Sequence, residues 1–199
     1  MASEILVDKV DPQSGTALEI GTSGDTITVP SGATFNVAGT LQSGGAAVAN
    51  TPSFGATASS TQSIGNGGWV KVTLNSEDWD TDSAFDSSTN YRFTVPSGEG
   101  GKYLFNYGGY LVSMTTNGYF QLQLYKNGAE LRESAFRAYM STSATSSMNI
   151  TSSICVSLAA ADYIEFYVIQ DNPDGSGGTR TLSNADYKPF LTGMKVLGA

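Results

Sequence analysis

The sequence predicts an all-β protein, and three features of the chain support this prediction. Aromatic side chains recur at every second position at Tyr103, Phe105 and Tyr107, so they lie on one face of a single β-strand. The composition, with 23 Gly and only 14% charged residues, suits many short strands joined by turns. Asn127 and Gly128, flanked by alternating residues, form the sequence of a tight β-hairpin turn.

The same alternation of apolar and polar residues predicts further strands along the C-terminal part of the chain. These strands are centred on residues 70–74, 91–95, 120–124 and 148–158. The segment 163–169 differs, because it is apolar on both faces except for Glu165. One of its faces is therefore predicted to enter the core of a sandwich, and the other is predicted to contact a second subunit.

Seven side chains on these strands are accordingly predicted to lie in the core or in a subunit interface. They are Tyr103, Phe105, Tyr107, Tyr163, Phe166, Tyr167 and Ile169. An alternative interpretation makes Tyr107, Tyr110, Tyr125 and Tyr167 a platform on which sugar rings stack. Packing is the favoured interpretation, because strand aromatics at a period of two bury large areas in cores and interfaces.

Charge and composition exclude several classes of partner. The net charge of −8 and the pI near 4.3 exclude the basic surface that nucleic acid requires. The chain has no apolar run of about 18 residues, so membrane insertion is not predicted. The first six residues lack the basic and long apolar segments of a secretory signal. Cys155 is the single cysteine and is interpreted as a small strand residue without a disulfide partner.

The chain contains no histidine, which restricts its possible chemistry. Hydrolysis by Ser-His-Asp or Cys-His groups is excluded, and so are zinc sites built on imidazole. A carboxylate pair of the glycosidase kind or a Ser-Lys dyad remains possible in principle. No catalytic residue and no cofactor are predicted.

Acidic residues cluster in the segment 77–82, which is predicted to be a solvated, turn-forming loop. Aspartates spaced by two also suggest a calcium loop, and the weak candidate ligands are Asp78, Asp80 and Asp82. The helix–loop–helix calcium motif fails here, because Ser83 and Thr89 stand where it requires Gly and Glu.

A second acidic turn is predicted over residues 171–178, between two strands. Loops on a rigid scaffold often carry binding residues, although a plain connection is the alternative. The predicted receptor-binding residues in the two acidic loops are Glu77, Asp78, Trp79, Asp171, Asn172 and Asp174.

The first fifty residues follow a different pattern. Very short alternating strands are predicted at residues 17–21, 26–30, 34–38 and 39–41, separated by Gly, Ser and Asp turns. Their few apolar residues cannot form a core alone, so burial requires stacking or the intertwining of several chains. Small, uncharged residues at 44–52, ending near Pro52, predict a linker.

Three motifs in residues 52–199 occur in the order found in a known family. They are the G-x-Y-x-F-x-Y run at 101–107, the Lys-Asn-Gly hairpin at 126–128 and the closing strand at 190–197. This part of the chain resembles the globular head of complement C1q and its tumour necrosis factor relatives. The gap between Phe93 and Gly101 is longer than in the family pattern, which indicates an enlarged turn. The resemblance implies a ten-stranded jelly roll that trimerises and binds rather than catalyses.

The N-terminal segment resembles a different group of proteins. Its matching stretches are residues 7–11, 14–18 and 20–34, the last reading IGTSGDTITVPSGAT. They are similar to the N-terminal parts of tail-fibre and other virion proteins of bacteriophages, especially marine and cyanobacterial ones. This resemblance implies a short trimeric shaft and docking on the virion through Ile5, Leu6, Val7 and Val10.

The two resemblances together predict three regions: a virion-attachment segment and β shaft at residues 1–43, a linker at 44–52, and a jelly-roll head at 53–199. The predicted function is that of a homotrimeric phage tail fibre, made in the host cytoplasm and located on the virion. Its N-terminus would bind a phage tail or capsid protein, and its head would bind a glycan or protein receptor on the host. The alternative is a head fibre or capsid decoration protein. A glycan depolymerase would need a catalytic carboxylate pair in a groove, and a secreted adhesin would need an export signal.

Overall fold

The computed structural model describes residues 18, 20–39, 41–43, 46–47, 50–114, 117–141, 146–172 and 178–196. The chain divides into two compact units, Met1–Ala47 and Val48–Ala199, which we call the N-terminal unit and the sandwich. The division after Ala47 falls within the segment that the sequence predicts to be a linker. The described residues contain no helix long and apolar enough to cross a membrane.

The described part of the N-terminal unit consists mainly of turns. The Asp25 N–H donates to the Thr22 carbonyl at 3.0 Å, and the Ala33 N–H donates to the Pro30 carbonyl at 3.0 Å. One short hairpin pairs β1 (Gln42–Ser43) with β2 (Ala46–Ala47). The turns agree with the sequence prediction. The strands predicted at 26–30 and 34–38 are not formed in the single chain. The described residues provide no neighbouring strand with which these segments could pair.

The described residues of the sandwich form thirteen strands, β3 to β15. They are β3 (Ser53–Thr57), β4 (Gln62–Ile64), β5 (Val70–Lys71), β6 (Ser76–Asp80), β7 (Phe85–Asp86), β8 (Arg92–Thr94), β9 (Gly101–Met114), β10 (Tyr119–Lys126), β11 (Ala129–Tyr139), β12 (Ser146–Leu158), β13 (Tyr163–Asp171), β14 (Arg180–Ser183) and β15 (Phe190–Lys195). This confirms the predicted all-β jelly roll. Strands outnumber the ten that were predicted, because turns divide residues 53–94 into six short strands.

The strands form two antiparallel sheets that enclose the core. In the first, which we call the β9 sheet, the order is β4-β14-β9-β15-β3-β6, and β12 pairs with the other edge of β9. In the second, the β10 sheet, the order is β11-β10-β13-β8-β7, and β5 also pairs with β13. Strand β9 has 14 residues and holds its sheet together by pairing with three other strands.

The core between the sheets is aromatic, as the period-two pattern predicts. Tyr103, Phe105 and Tyr107 of β9 have no exposed surface. The Phe54 ring stacks on a ring from β7 and a ring from β8, each at a centroid distance of 4.9 Å. Phe166 of β13 packs edge-on against Tyr107 at 5.6 Å. These four predicted residues are therefore core residues rather than interface residues.

The predicted Asn-Gly hairpin joins β10 to β11. Asn127 and Gly128 have φ angles of 54° and 77°, in the left-handed region that such a two-residue turn requires. The Asn127 side chain also contacts the turn that precedes β13. Its Nδ2 donates to Asp162 Oδ1 at 2.7 Å, and its Oδ1 accepts from the Tyr163 N–H at 2.8 Å. One asparagine thus fixes two turns at the same end of the sandwich.

The carboxylate of Asp162 gives this end of the sandwich a dependence on pH. Hydrogen bonds from Lys126, from Asn127 and from the Ala159 N–H lower the pKa of Asp162 from 3.8 to about 2. A carboxylate whose pKa is lowered by folding contributes stability above its unfolded pKa and loses it as pH falls. We therefore expect the wild-type Tm to fall more steeply than that of Asp162→Asn between pH 3.8 and about pH 2.

Thermal unfolding at several pH values across this window checks the expectation. Asp186→Asn changes an exposed aspartate and serves as the matched control, which should keep the wild-type slope. Identical slopes for the wild type and Asp162→Asn would contradict the role given to this carboxylate.

Candidate functional site

The first predicted receptor segment is a strand rather than a loop. Glu77, Asp78 and Trp79 lie in β6, which pairs antiparallel with β3 and is the last strand of the β9 sheet. The prediction of a loop at residues 77–82 is therefore wrong for residues 77–80, which form a strand, although Glu77, Asp78 and Trp79 are exposed. Charged side chains are tolerated here because they occupy an edge strand, where charge also prevents further strands from pairing.

Two of the candidate calcium ligands make local hydrogen bonds instead. Asp80 accepts hydrogen bonds from the Phe85 N–H at 2.8 Å and from the Asp82 N–H at 3.3 Å. Asp82 accepts from the Thr81 hydroxyl. Within the described ranges, no three acidic, cysteine or histidine side chains are grouped to hold a metal ion. The geometry therefore does not support calcium at Asp78, Asp80 and Asp82.

The second predicted receptor loop begins with a buried residue. Asp171 ends β13 and is half-buried, whereas Asn172 is only 2% exposed. Asn172 donates from its N–H to Asn66 Oδ1 at 2.8 Å and from Nδ2 to Gln170 Oε1 at 2.6 Å. The prediction of Asn172 as a receptor contact is therefore wrong, because its amide anchors the start of the loop inside the sandwich.

Other predicted residues lie outside the described residues. They are Asp174 in the second acidic turn and the virion-docking residues Ile5, Leu6, Val7 and Val10. Their receptor and docking roles stay predictions.

The outer face of the β9 sheet carries no charge over most of its area. Alternation along β9, β12 and β15 places polar, small and apolar side chains opposite the core, and several of them are half-buried or exposed. We call this set the uncharged face: Leu104, Asn106, Gly108, Tyr110, Val112, Asn149, Thr151, Ser153, Cys155, Phe190, Thr192 and Met194. Uncharged surface of this kind is typical of the buried centre of a subunit interface.

Two glycines allow aromatic rings to lie against the outside of this sheet. A β-carbon at Gly108 would stand 2.6 Å from Cε1 of Phe190, so the ring requires the glycine. A β-carbon at Gly55 would overlap the ring of Trp79 in the same way. Trp79 remains 46% exposed above its glycine. The rings thus add apolar area to the sheet face.

A second apolar surface lies where the two sheets end side by side. Strands β11 and β12 are the edge strands of their sheets, and their inward-pointing side chains are incompletely covered. We call the set of Leu131, Phe136, Met148, Ile154 and Val156 the open edge. Phe136 is 44% exposed in the single chain. An exposed apolar edge of this kind is typical of a surface used for binding.

The second face of β13 is covered by the same chain. Lys71 forms an ion pair with Glu165, and Tyr125 stacks on Tyr167 at a centroid distance of 4.0 Å. Ile169 is only 8% exposed without any partner. A second subunit is therefore not needed to explain why this strand is apolar on both faces. The charged side chains of Lys71 and Glu165 also make this face unlike the centre of a subunit interface, where charged residues are depleted.

The outer face of the β10 sheet instead carries half-buried or exposed aromatic rings, with two buried amides between them. Along β10 the outward positions are Tyr119, Gln121, Gln123 and Tyr125. Neighbouring strands and loops add Trp69, Tyr167, Arg137 and Tyr139. We call these eight residues the aromatic strip. Of the four tyrosines in the sugar-platform interpretation, only Tyr125 and Tyr167 lie on it, since Tyr107 is in the core and Tyr110 is on the uncharged face.

Comparison with solved structures identifies the architecture of the sandwich. The globular domain of a zebrafish complement 1qA protein matches with a TM-score of 0.50 and 16% sequence identity, over 73% of this chain and 98% of that chain. The sandwich has the complement C1q and tumour necrosis factor fold. Murine APRIL (TM-score 0.48, 14% identity, 72% of this chain and 98% of that one) also matches. So does the Eiger TNF of S. frugiperda (TM-score 0.47, 15% identity, 74% and 92%).

At these identities the likeness concerns the fold alone. No protein-family profile matches the chain, and no curated protein matches it in sequence. The surfaces of this C1q-like sandwich must therefore be interpreted from their own residues.

Most residues of the uncharged face were not predicted from the sequence to form a site. Alternation in residues 101–107 draws attention to the aromatic side chains, although Leu104, Asn106 and Gly108 occupy the intervening positions. The absence of charged residues at these positions was the sequence signal that could have identified the face. Arg137 carried no signal, because its partners are brought together only by strand pairing.

Proposed function

We propose that this protein is a homotrimeric fibre of a bacteriophage virion, with a C1q-like head that binds the host surface and an N-terminal unit that attaches to the virion. A tail fibre is the form that we favour. The observation that carries the proposal is a contrast between the two units. The sandwich buries a large aromatic core, whereas the described residues of the N-terminal unit leave their large apolar side chains uncovered.

The uncovered side chains of the N-terminal unit line an open groove of about 490 Å³. They are Leu18, Ile20, Ile27, Val29 and Phe35, which are between 44% and 70% exposed. Ile27 and Val29, which are two residues apart in sequence, line the same groove. This is the spacing of side chains on one face of a β-strand. Equivalent side chains of other copies would fill it, which supports a shaft of several parallel chains.

The sandwich supports the same assembly through two unlike surfaces. The uncharged face and the open edge consist of different residues, so contact between copies joins the edge of one sandwich to the face of the next. Such a heterologous contact generates a ring when the rotation closes. The resemblance to complement and tumour necrosis factor heads favours a ring of three.

The virion role rests on the resemblance of residues 7–34 to phage fibre proteins. A binding role fits the chain better than a catalytic one, because it lacks histidine and Asp80, in the acidic cluster, accepts hydrogen bonds from the local backbone. Three copies of a weak binding site would together provide avidity on a cell surface with repeated receptors.

Locating the protein in intact phage particles tests the proposal. We expect antibodies against the sandwich to label the distal part of the tail in electron micrographs, and the purified full-length protein to reduce phage adsorption to the host. Label on the capsid would identify the alternative, a head fibre or decoration protein. Particles without the protein would contradict both forms of the proposal.

A further inference from the structure

We propose that the aromatic strip on the β10 sheet binds an extended glycan that carries carboxylate groups, with Arg137 as the site for one carboxylate. The inference deepens the proposed function, because it names the class of receptor that the head would bind. It places recognition on a sheet face rather than in the two acidic loops that the sequence suggested.

The shape of the strip suits a chain of sugars. The four outward side chains of β10 run from Tyr119 to Tyr125, a distance of about 20 Å at roughly 3.3 Å per residue. Rings stand at the two ends, and the amides of Gln121 and Gln123 stand between them. Rings pack against the C–H faces of sugars. Gln121 is buried, and its amide already accepts from Arg137 and donates to Gln123, so it positions these two side chains rather than the sugar.

Arg137 is held in one orientation by three contacts. Its guanidinium lies 4.0 Å above the centre of the Tyr119 ring. Its Nε donates to Gln121 Oε1 at 2.6 Å, and its Nη1 donates to the Tyr139 hydroxyl at 3.2 Å. These contacts leave Nη2 and the outer edge of the guanidinium available. A planar guanidinium in a fixed orientation can bind a carboxylate through two parallel hydrogen bonds.

Arg137 has no carboxylate partner although the chain is acidic, but Arg92, Lys102 and Lys188 likewise form no ion pair among the described residues. The significance of Arg137 therefore lies in its fixed orientation within the strip. The sequence has 18 acidic and 10 basic residues, and Lys71, Lys126, Arg132 and Lys195 each form an ion pair. Arg137 forms none with any residue that the structure describes. Asp171, opposite Tyr119 across the strand pair, accepts a hydrogen bond from Asn66 instead. The charge of Arg137 is therefore oriented but not neutralised.

Gln123 provides an independent indication of a ligand. Its side chain is 2% exposed, yet its Nε2 has no acceptor among the described residues. Its Oε1 accepts from Gln121 Nε2 at 3.4 Å. A buried donor without an acceptor costs free energy, which a ligand hydroxyl would recover after a small shift of the side chains beside it. Tyr167, on which Tyr125 stacks, lies opposite Gln123 across the strand pair.

Binding of the full-length protein to an array of glycans tests the inference. The array should contain polyuronates, their carboxyl-reduced neutral forms and sulfated glycans of similar length. We expect the protein to bind carboxylated glycans at least ten times more tightly than their reduced forms. Arg137→Gln should abolish this preference, and Arg137→Lys should restore only part of it, because lysine keeps the charge but not the planar geometry.

Matched variants separate the strip from other surfaces. Tyr125→Ala should weaken binding of carboxylated and neutral glycans together, whereas Tyr187→Ala, an exposed tyrosine that contacts Tyr110 of the uncharged face, should change neither. An unchanged melting temperature shows that Arg137→Gln is folded. Binding to no glycan, binding to sulfated glycans only, or a preference that survives Arg137→Gln would overturn the inference.

The outcomes distinguish this inference from the proposed function. A protein that blocks phage adsorption but binds no glycan would retain the fibre role and reject the glycan site. In that case the strip would contact a protein receptor. A protein that binds carboxylated glycans but is absent from virions would retain the site and reject the fibre role.

Discussion

Replacing Leu104 with aspartate is expected to convert the proposed trimer into a folded monomer of 20.8 kDa. Leu104 lies on the uncharged face, opposite Met194 on one side and Cys155 on the other. A charge buried there without a partner costs about 3–5 kcal/mol. Such a cost weakens association on the order of 100-fold or more. The core is unaffected, because Leu104 points away from it.

Light scattering coupled to gel filtration measures this effect directly. Lys102→Asp is the matched control, since Lys102 is exposed at the end of the same face of β9, where a charge already stands. The wild type and this control should show three times the chain mass. A trimeric Leu104→Asp protein, or a monomeric wild type at micromolar concentration, would refute the assigned interface. Circular dichroism should show the same β content in all three proteins.

Replacing Phe54 with alanine is expected to cause the largest loss of stability in the sandwich. Its ring has no exposed surface and stacks on both Phe85 and Phe93. Truncating a buried phenylalanine to alanine costs about 3–5 kcal/mol, since the cavity closes only partly. For a domain of this size, the Tm should fall by roughly 6–20 °C.

The measurement is best made in the Leu104→Asp background, so that subunit association does not contribute to the melting temperature. Tyr139→Ala removes an aromatic ring that is 63% exposed and serves as the control. Its expected effect is within about 0.5 kcal/mol, as for most surface substitutions. Similar losses for the two variants would show that the aromatic cluster around Phe54 is not the centre of the core.

The fold was largely predictable because its main signals are local. Period-two aromatics at Tyr103, Phe105 and Tyr107 and the turn at Asn127 each specify structure within a few residues. The strands expected near residues 26–30 were not found in one chain, because a strand forms only with a partner and alternation does not supply one.

The candidate surfaces were harder to predict, because they depend on residues that are distant in sequence. The acidic composition around Trp79 suggested a loop, whereas the missing side chain at Gly55 allows this segment to pair as a strand. Asn172 was predicted to be a loop residue, because the sequence does not show its hydrogen bonds with Asn66 and Gln170. Strand register likewise brings Arg137 to Gln121, and alternation alone does not determine register.

The position of Cys155 has a consequence for the order of events during assembly. This thiol is the sole cysteine of the chain, is exposed on a single copy and lies on the uncharged face. In the proposed trimer it is shielded, so only unassembled copies can react with oxidants or form disulfides between chains. A disulfide-linked pair would occupy the surface that a third copy needs. In the proposed virion fibre, association in the reducing cytoplasm of the host would therefore protect the thiol before the particle reaches the oxidising medium outside the cell.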